Sequence, residues 1–159
     1  MKGLRPQRRI VLILILVLVL FLLPVRAFGF CFEEAGEIYG ISPLLLWAIA
    51  GVESNFDPCA LNRNLDGSYD FGLMQINSFW AKIVGAKEWL SLGDPCTNLK
   101  VGAWILSLCI ERYGYTWEAV GCYNARSPQK GARYANRIYE KLKELSACLR
   151  ADTHRQEGR

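Results

Sequence analysis

Two carboxyl groups in this chain stand in settings suited to acid-base chemistry. Glu53 follows an apolar run, Leu44 to Val52. Asp70 comes seventeen residues later, just past the turn signal Asp66-Gly67, and a compact polar set, Gln75, Asn77 and Ser78, follows around apolar Met74 and Ile76. A carboxyl in apolar surroundings resists ionisation more than one in a polar hairpin. A pair that differs in this way is what breaking a glycosidic bond needs: one group protonates the leaving oxygen, and the other faces the positive charge that develops.

Glu53 needs a helix to hold it. Ser42-Pro43 is a helix start, with Ser as N-cap and Pro at the first helical position. Leu44 to Val52 is apolar on every side, which predicts a central, buried helix. Leu46, Ile49 or Ala50, and Glu53 share one face, so Glu53 lies at the helix C-terminus. There the apolar setting and the helix dipole both oppose the carboxylate and raise its pKa. Upstream, Cys31 to Tyr39 has helical spacing, with Phe32, Ala35 and Ile38 on one face and Gly40 to close it. Asn55 to Pro58 is a break, and Asn62 to Asp70 carries the turn residues of a short hairpin. Its N-x-N-x-D-G run partly fits a calcium loop but fails it: the first ligand position is Asn62, and Leu73 stands where a bidentate Glu is needed. No metal is expected.

Beyond the hairpin the chain reads as helices. Asn77 or Ser78 caps one through Val84, and Ala86 to Leu90 is a short helical turn. Asp94-Pro95 opens a long helix to Tyr113, which Gly114 stops. Thr116 caps Trp117 to about Tyr123, and Ser127-Pro128 leads to a last helix near Gly131 to Leu149. Arg133, Arg137 and Lys141 form a stripe on it, expected as a solvated face. Ala151 to Arg159 is polar and expected as a frayed, disordered tail. Of the five tryptophans, Trp47 and Trp104 lie in apolar helical context and are expected in the core, while Trp80 is the candidate for a cleft edge.

The chain has 159 residues, enough for one domain with a real core. Its first 27 read as a secretory signal. Lys2, Arg5, Arg8 and Arg9 precede a 14-residue apolar run, Ile10 to Leu23, and small residues offer cleavage near 27–29. An uncleaved anchor is the alternative reading, but the run is short of the ~20 residues that span a bilayer, so no stable membrane insertion is expected once the signal is removed. Residues 28–150 are then the working domain. Five of the 19 basic residues, and none of the 15 acidic ones, lie in the signal, so the net charge from Phe28 onward is −1. That balance gives no footing for nucleic acid. Six cysteines follow the signal, and an even number in an exported chain allows up to three disulfides, with pairing open.

With these elements placed, the motifs become recognisable. ESNF, NRN, DGS, the Asp70-x-Gly72 pair and QINS, from Glu53 to Ser78, resemble in order and without a gap the active-site stretch of animal-type lysozymes. GLMQIN (Gly72 to Asn77), TWEAV-G-x-YNA (Thr116 to Ala125) and YANRIY (Tyr134 to Tyr139) resemble lytic transglycosylases of the soluble-transglycosylase type. The strongest likeness is to the small exported group that accompanies type III secretion, type IV secretion and conjugation machines, including the invasion-associated transglycosylases. It covers about Cys31 to Leu145.

The resemblance implies a lysozyme-like α+β fold, mainly α, with a short β-hairpin near 60–72. It implies Glu53 as general acid and then base, and Asp70 as electrostatic stabiliser of an oxocarbenium-like transition state. Many soluble-type transglycosylases lack a carboxyl at the position of Asp70; the secretion-associated group tends to have one. Gln75 and Asn77 are implied to line the cleft and bond the sugar, and Tyr123 and Asn124 to support acid and sugar. Tyr134 either reaches Glu53 or packs in the core, and Ser54 and Met74 complete the implied substrate-binding set. Arg126 departs from the family pattern, which has Gly there, and Cys122 stands where a small residue is usual. A disulfide between Cys31 and Cys96 is implied, leaving Cys59, Cys109, Cys122 and Cys148 for two more. Cys122, beside Tyr123 and Asn124, could couple redox state to the site.

The implied substrate is the β-1,4 bond between N-acetylmuramic acid and N-acetylglucosamine in peptidoglycan glycan strands, cut without a cofactor to leave a 1,6-anhydro-muramoyl end. The implied task is to open the wall locally for a secretion, pilus or conjugation apparatus, by a monomer in the periplasm or outside the cell, with parts of that apparatus as partners. Two rivals stand beside it. One is a hydrolytic lysozyme (muramidase), which uses water on the same bond. The other is a non-catalytic glycan-binding assembly scaffold.

Overall fold

The computed structural model describes residues 31–125 and 127–157. The signal segment, its cleavage region near 27–29, and Arg126 lie outside the described residues. Helix α1 (Phe32–Tyr39) ends where Gly40 turns left-handed, φ 64°, a conformation that costs glycine little. Helix α2 (Pro43–Ser54) begins with Pro at its first turn. Leu45, Leu46, Ala48, Ile49 and Ala50 are buried, whereas Leu44 is exposed. The all-round apolar helix is therefore central, with one edge open.

The hairpin is two strands, β1 (Leu61–Arg63) and β2 (Tyr69–Phe71), and a third, β3 (Ile76–Asn77), adds to β2. All pair antiparallel in the order β1-β2-β3, with Asn62 opposite Asp70 and Asp70 opposite Asn77. The expected hairpin thus carries one more strand than its turn residues announce. Residues 76–77 are too short a run to show strand alternation. A 3₁₀ turn (Ser78–Trp80) capped by Asn77 leads into the short helices α3 (Ala81–Val84) and α4 (Ala86–Leu90).

Helix α5 (Pro95–Tyr113) opens on Asp94, whose Oδ2 accepts from Thr97 N at 2.7 Å. Helix α6 (Trp117–Asn124) opens on Thr116, whose hydroxyl accepts from Ala119 N. Helix α7 runs Pro128–Glu157, past the end expected at Leu149 and through most of the polar stretch read as a tail. No Gly or Pro stands between Gly131 and Gly158 to stop it.

The core joins α2, α5 and α7 with the loop after β2: Leu46, Ile49, Leu73, Met74, Leu99, Leu106 and Ile138 are all fully buried. Trp80 and Trp104 pack edge to face at 5.5 Å, and Trp47 lies against Phe56. Trp80 is thus partly in the core rather than only at an edge. Two disulfides close the framework. Cys31–Cys96 ties the start of α1 to the start of α5, as implied, and Cys109–Cys122 ties α5 to α6. Cys59 and Cys148 are free and exposed, so the third bridge does not form.

Candidate active site

Glu53 is the last residue but one of α2. Its helix is packed against α7, and from α7 the buried Tyr134 donates its hydroxyl to Glu53 Oε1 at 2.6 Å. Both readings of Tyr134 hold together: it is core, and it reaches the acid. Burial pushes the Glu53 carboxyl up from 4.5 to about 7. The Tyr134 hydrogen bond, the Arg137 charge and the Asn124 amide pull the other way, and the Asp70 charge adds to the rise. Burial outweighs the hydrogen bond because the low-dielectric setting penalises the whole charge. Tyr134 itself is held well above its ordinary range, first by burial and then by the Glu53 charge. It therefore stays a neutral donor.

The chain leaves α2 through two left-handed residues that are not glycine, Asn55 (φ 53°) and Phe56 (φ 65°). A bulky residue there is an outlier with a steric cost. Phe56 is kept in place by its ring contact with Trp47 at 5.0 Å. Ser54, next to the acid, turns its hydroxyl to Leu73 O at 2.8 Å and Ala50 O at 3.2 Å. The end of α2 is thereby tied to the loop 72–75.

That loop is bent by Gly72 (φ 79°) and Gln75 (φ 48°). Asn98, a fully buried polar residue of α5, organises it. Its Oδ1 accepts from Met74 N at 2.8 Å, and its Nδ2 donates to Phe71 O at 3.0 Å and Leu92 O at 3.3 Å. A Cβ on Gly72 would overlap the Asn98 amide, so that position requires glycine twice over. From α6, Tyr123 donates its hydroxyl to Met74 O at 2.7 Å, and its ring stacks on Tyr134.

Asp70 is held on the sheet by two amides, one from Asn64 in the turn just after β1 and one from its β3 partner Asn77. Asn64 Nδ2 donates to Oδ2 at 3.0 Å, and Asn77 Nδ2 donates to Oδ1 at 2.7 Å. Both amides also donate to the Ser68 hydroxyl, which in turn donates to Asp66 Oδ1 at 2.7 Å. Those Ser68 contacts hold the Asp66 carboxyl below its ordinary range. With both oxygens engaged as acceptors, Asp70 has a fixed orientation, and its charge is felt at Glu53.

The structure brings Glu53, Asp70, Tyr123, Asn124 and Tyr134 into one electrostatic neighbourhood. It assigns others of the implied set to internal work. Gln75 donates to Gly72 O at 2.8 Å and Ala60 O at 3.2 Å and accepts from Asn62, so both its N–H groups are committed to the loop. Asn77 spends its amide on Ser68 and Asp70 and its oxygen on Phe79 N. Met74 is fully buried, its side chain lying against Gly102. It offers the site a backbone carbonyl, not a side-chain contact. Ser54, as above, bonds two carbonyls.

The roles of four residues are not visible in the sequence. Asn98 left one signal, an amide among apolar positions of α5. Asn64 lies inside the NRN motif and Ser68 inside DGS, but the aim of Asn64 at Asp70, and of Ser68 at the amides that hold Asp70, is set by the folded turn between β1 and β2. Arg137 departs from the solvated stripe: it donates to Val52 O at 3.5 Å, and its charge acts on Glu53. Lys141, from the same stripe, sits over the Trp47 ring.

A mainly helical domain with a small antiparallel sheet, an acid at the end of a central helix and a second carboxyl on the sheet defines the lysozyme-like class. Residues 30–146 match the family described as the transglycosylase SLT domain. The chain belongs to that family, whose members are peptidoglycan lytic transglycosylases, and such substrates lie outside the cytoplasm. It is 47% identical over 127 residues to the invasion protein IagB of Salmonella typhi, across 74% of this chain and 79% of that protein. It is 39% identical over 132 residues to the protein IpgF of Shigella flexneri, across 79% of this chain and 87% of that one. An inactive mutant of the lytic transglycosylase Slt from Pseudomonas aeruginosa has a similar fold. Its TM-score is 0.59 at 20% identity, over 80% of this chain but only 25% of the longer one.

Proposed function

We propose that this protein cleaves the β-1,4 bond between N-acetylmuramic acid and N-acetylglucosamine, with Glu53 as acid and then base. The observation that carries the reading is the Glu53 carboxyl, pushed up to about 7 by burial and oriented by Tyr134. Near neutral pH such a group holds a proton to give and becomes a base once it has given it. Glu53 protonates the glycosidic oxygen, and the bond to C1 of the muramoyl sugar breaks as the 4-hydroxyl of the leaving sugar forms. Asp70, clamped by Asn64 and Asn77, faces the positive charge developing at C1. The Glu53 carboxylate then takes the proton of the muramoyl sugar's own 6-hydroxyl, whose oxygen closes on C1 to give the 1,6-anhydro end.

A second reading is hydrolysis, with water in place of the 6-hydroxyl. The clamped Asp70 supports it, because a fixed second carboxylate is the hallmark of glycosidases that finish with water. Mass spectrometry of muropeptides separates the two, the anhydro product being lighter by one water. Glu53→Gln should lower activity by roughly 10² to 10⁴, and Asp70→Asn should lower it less. A fully active Glu53→Gln protein refutes the mechanism. Glycan binding without any cleavage by the wild-type protein would leave the scaffold reading. The domain is proposed as residues 28–150 behind a secretory signal, acting as a periplasmic monomer that opens the wall for a secretion, pilus or conjugation apparatus. The similarity to IagB and IpgF supports that setting.

A further inference from the structure

The end of α6 carries two groups that act on the site. Tyr123 donates to the Met74 carbonyl at 2.7 Å and stacks on Tyr134 with ring centroids 6.4 Å apart. Asn124, the last residue of the helix, places its amide so that it acts on Glu53. Yet α6 has only 8 residues, and a helix that short does not hold itself in water. Beyond it the backbone is already extended at Ala125, φ −148°.

Two features restrain this last turn. On one side Gly121 meets Gly131 of α7 so closely that a Cβ at Gly121 would lie 2.8 Å from the Gly131 carbonyl. On the other, Cys122 is bonded to Cys109 of α5, with Cα atoms 5.9 Å apart. Cys122 directly precedes Tyr123. Cys109 is buried and sits three residues after Leu106, a fully buried core residue of the same helix, so it is a firm anchor. The contact with α7 limits how near α6 can come, and the disulfide limits how far the last turn can move away.

We propose that the Cys109–Cys122 disulfide is a positioning element for the candidate acid: it fixes the last turn of α6 and thereby sets Tyr123 on the Met74 carbonyl and Asn124 on Glu53. The inference rests on the reading of Glu53 as the acid only for its catalytic consequence; the positioning itself is a property of the fold. The other disulfide provides a control. Cys31–Cys96 closes a longer loop, 65 residues against 13, but joins the starts of α1 and α5 and touches neither Tyr123 nor Asn124.

A double-mutant cycle tests the proposal. The Glu53 carboxyl is followed by ¹³C NMR titration, its resonance identified by loss in Glu53→Gln. In the disulfide-bonded protein Asn124→Ala should raise the Glu53 midpoint, because the amide favours the charged form. In Cys109→Ala/Cys122→Ala the same substitution should produce less than half of that shift. In Cys31→Ala/Cys96→Ala it should produce the full shift, although that protein also melts earlier. Cys109→Val/Cys122→Ala, which refills the space of the sulfurs, serves where the alanine pair is too unstable to titrate. An equal Asn124→Ala shift with and without Cys109–Cys122 overturns the proposal. Kinetics separate it from the functional reading. Coupling in the titration together with an inactive wild-type protein would refute the function and leave the positioning standing. Wild-type cleavage with no coupling would do the reverse.

Discussion

Glu53→Gln should make the protein more stable above neutral pH while removing its activity. The reason is linkage. In the unfolded chain the Glu53 proton is lost near 4.5, but the folded protein keeps it to about 7. Between those values the native state binds more protons than the unfolded one, so stability falls as pH rises through this window. Below it the carboxyl is protonated in both states and costs nothing; above it the full cost is present. Raising the carboxyl from 4.5 to about 7 amounts to about 3 kcal/mol, at ~1.4 kcal/mol for each tenfold change in proton affinity. Gln keeps an oxygen that can accept from Tyr134 and carries no charge, so it escapes most of that cost. Thermal or urea unfolding of both proteins from about pH 4 to about pH 8.5 measures it. The curves should coincide at the acid end, separate through the window, and differ by roughly 10 °C in Tm at the alkaline end. Parallel curves at every pH would show that the Glu53 carboxyl is not raised, and the case for a protonated acid near neutrality would fall with it.

Tyr134→Phe removes a hydrogen bond that favours the Glu53 carboxylate, so the Glu53 pKa should rise further. The alkaline limb of the pH–rate profile should then move up by about one to two pH units, given ~1.5–3 kcal/mol for a bond to a charged group; an unmoved limb counts against Glu53 as the acid. Asn98→Ala leaves Met74 N, Phe71 O and Leu92 O without their buried partner and should cost about 3 kcal/mol in chemical denaturation. A loss below about 1 kcal/mol would mean that the loop 72–75 does not depend on it. Cys31→Ala/Cys96→Ala should lower stability by about 4 kcal/mol in the chain-entropy model, with cleavage retained at temperatures where the protein is folded. Loss of cleavage in the folded variant would show that this bridge also shapes the site.

Much of the scaffold is written locally. Ser42-Pro43, Asp94-Pro95, Thr116 and Ser127-Pro128 mark helix starts because capping and a fixed proline φ act within one turn of chain. Glu53 could be placed at the end of a buried helix for the same kind of reason: an apolar run and its stop are both visible without knowing what packs on them. Motif order then carried the family, and with it the fold and the Cys31–Cys96 bridge.

Where each side chain is aimed was decided elsewhere. Tyr134 meets Glu53 across a separation of 81 residues, and Tyr123 meets the Met74 carbonyl across 49. Gln75 looks like a cleft residue by motif, yet the left-handed turn at its own position directs its amide back to Ala60 and Gly72. Met74 looks like part of a binding motif, yet packing against Gly102 buries it. Asn77 meets Asp70 only because strand register sets the two opposite each other, and two-residue β3 has no pattern to predict that register from; Asn64 reaches Asp70 from the turn after β1. Arg137 belongs to a charged stripe by spacing, but the packing of α7 on α2 brings it to Glu53. Propensity and capping act over a few residues, so sequence reveals them. A hydrogen bond's direction and a carboxyl's burial depend on groups brought from distant elements, and only the packed fold assembles those.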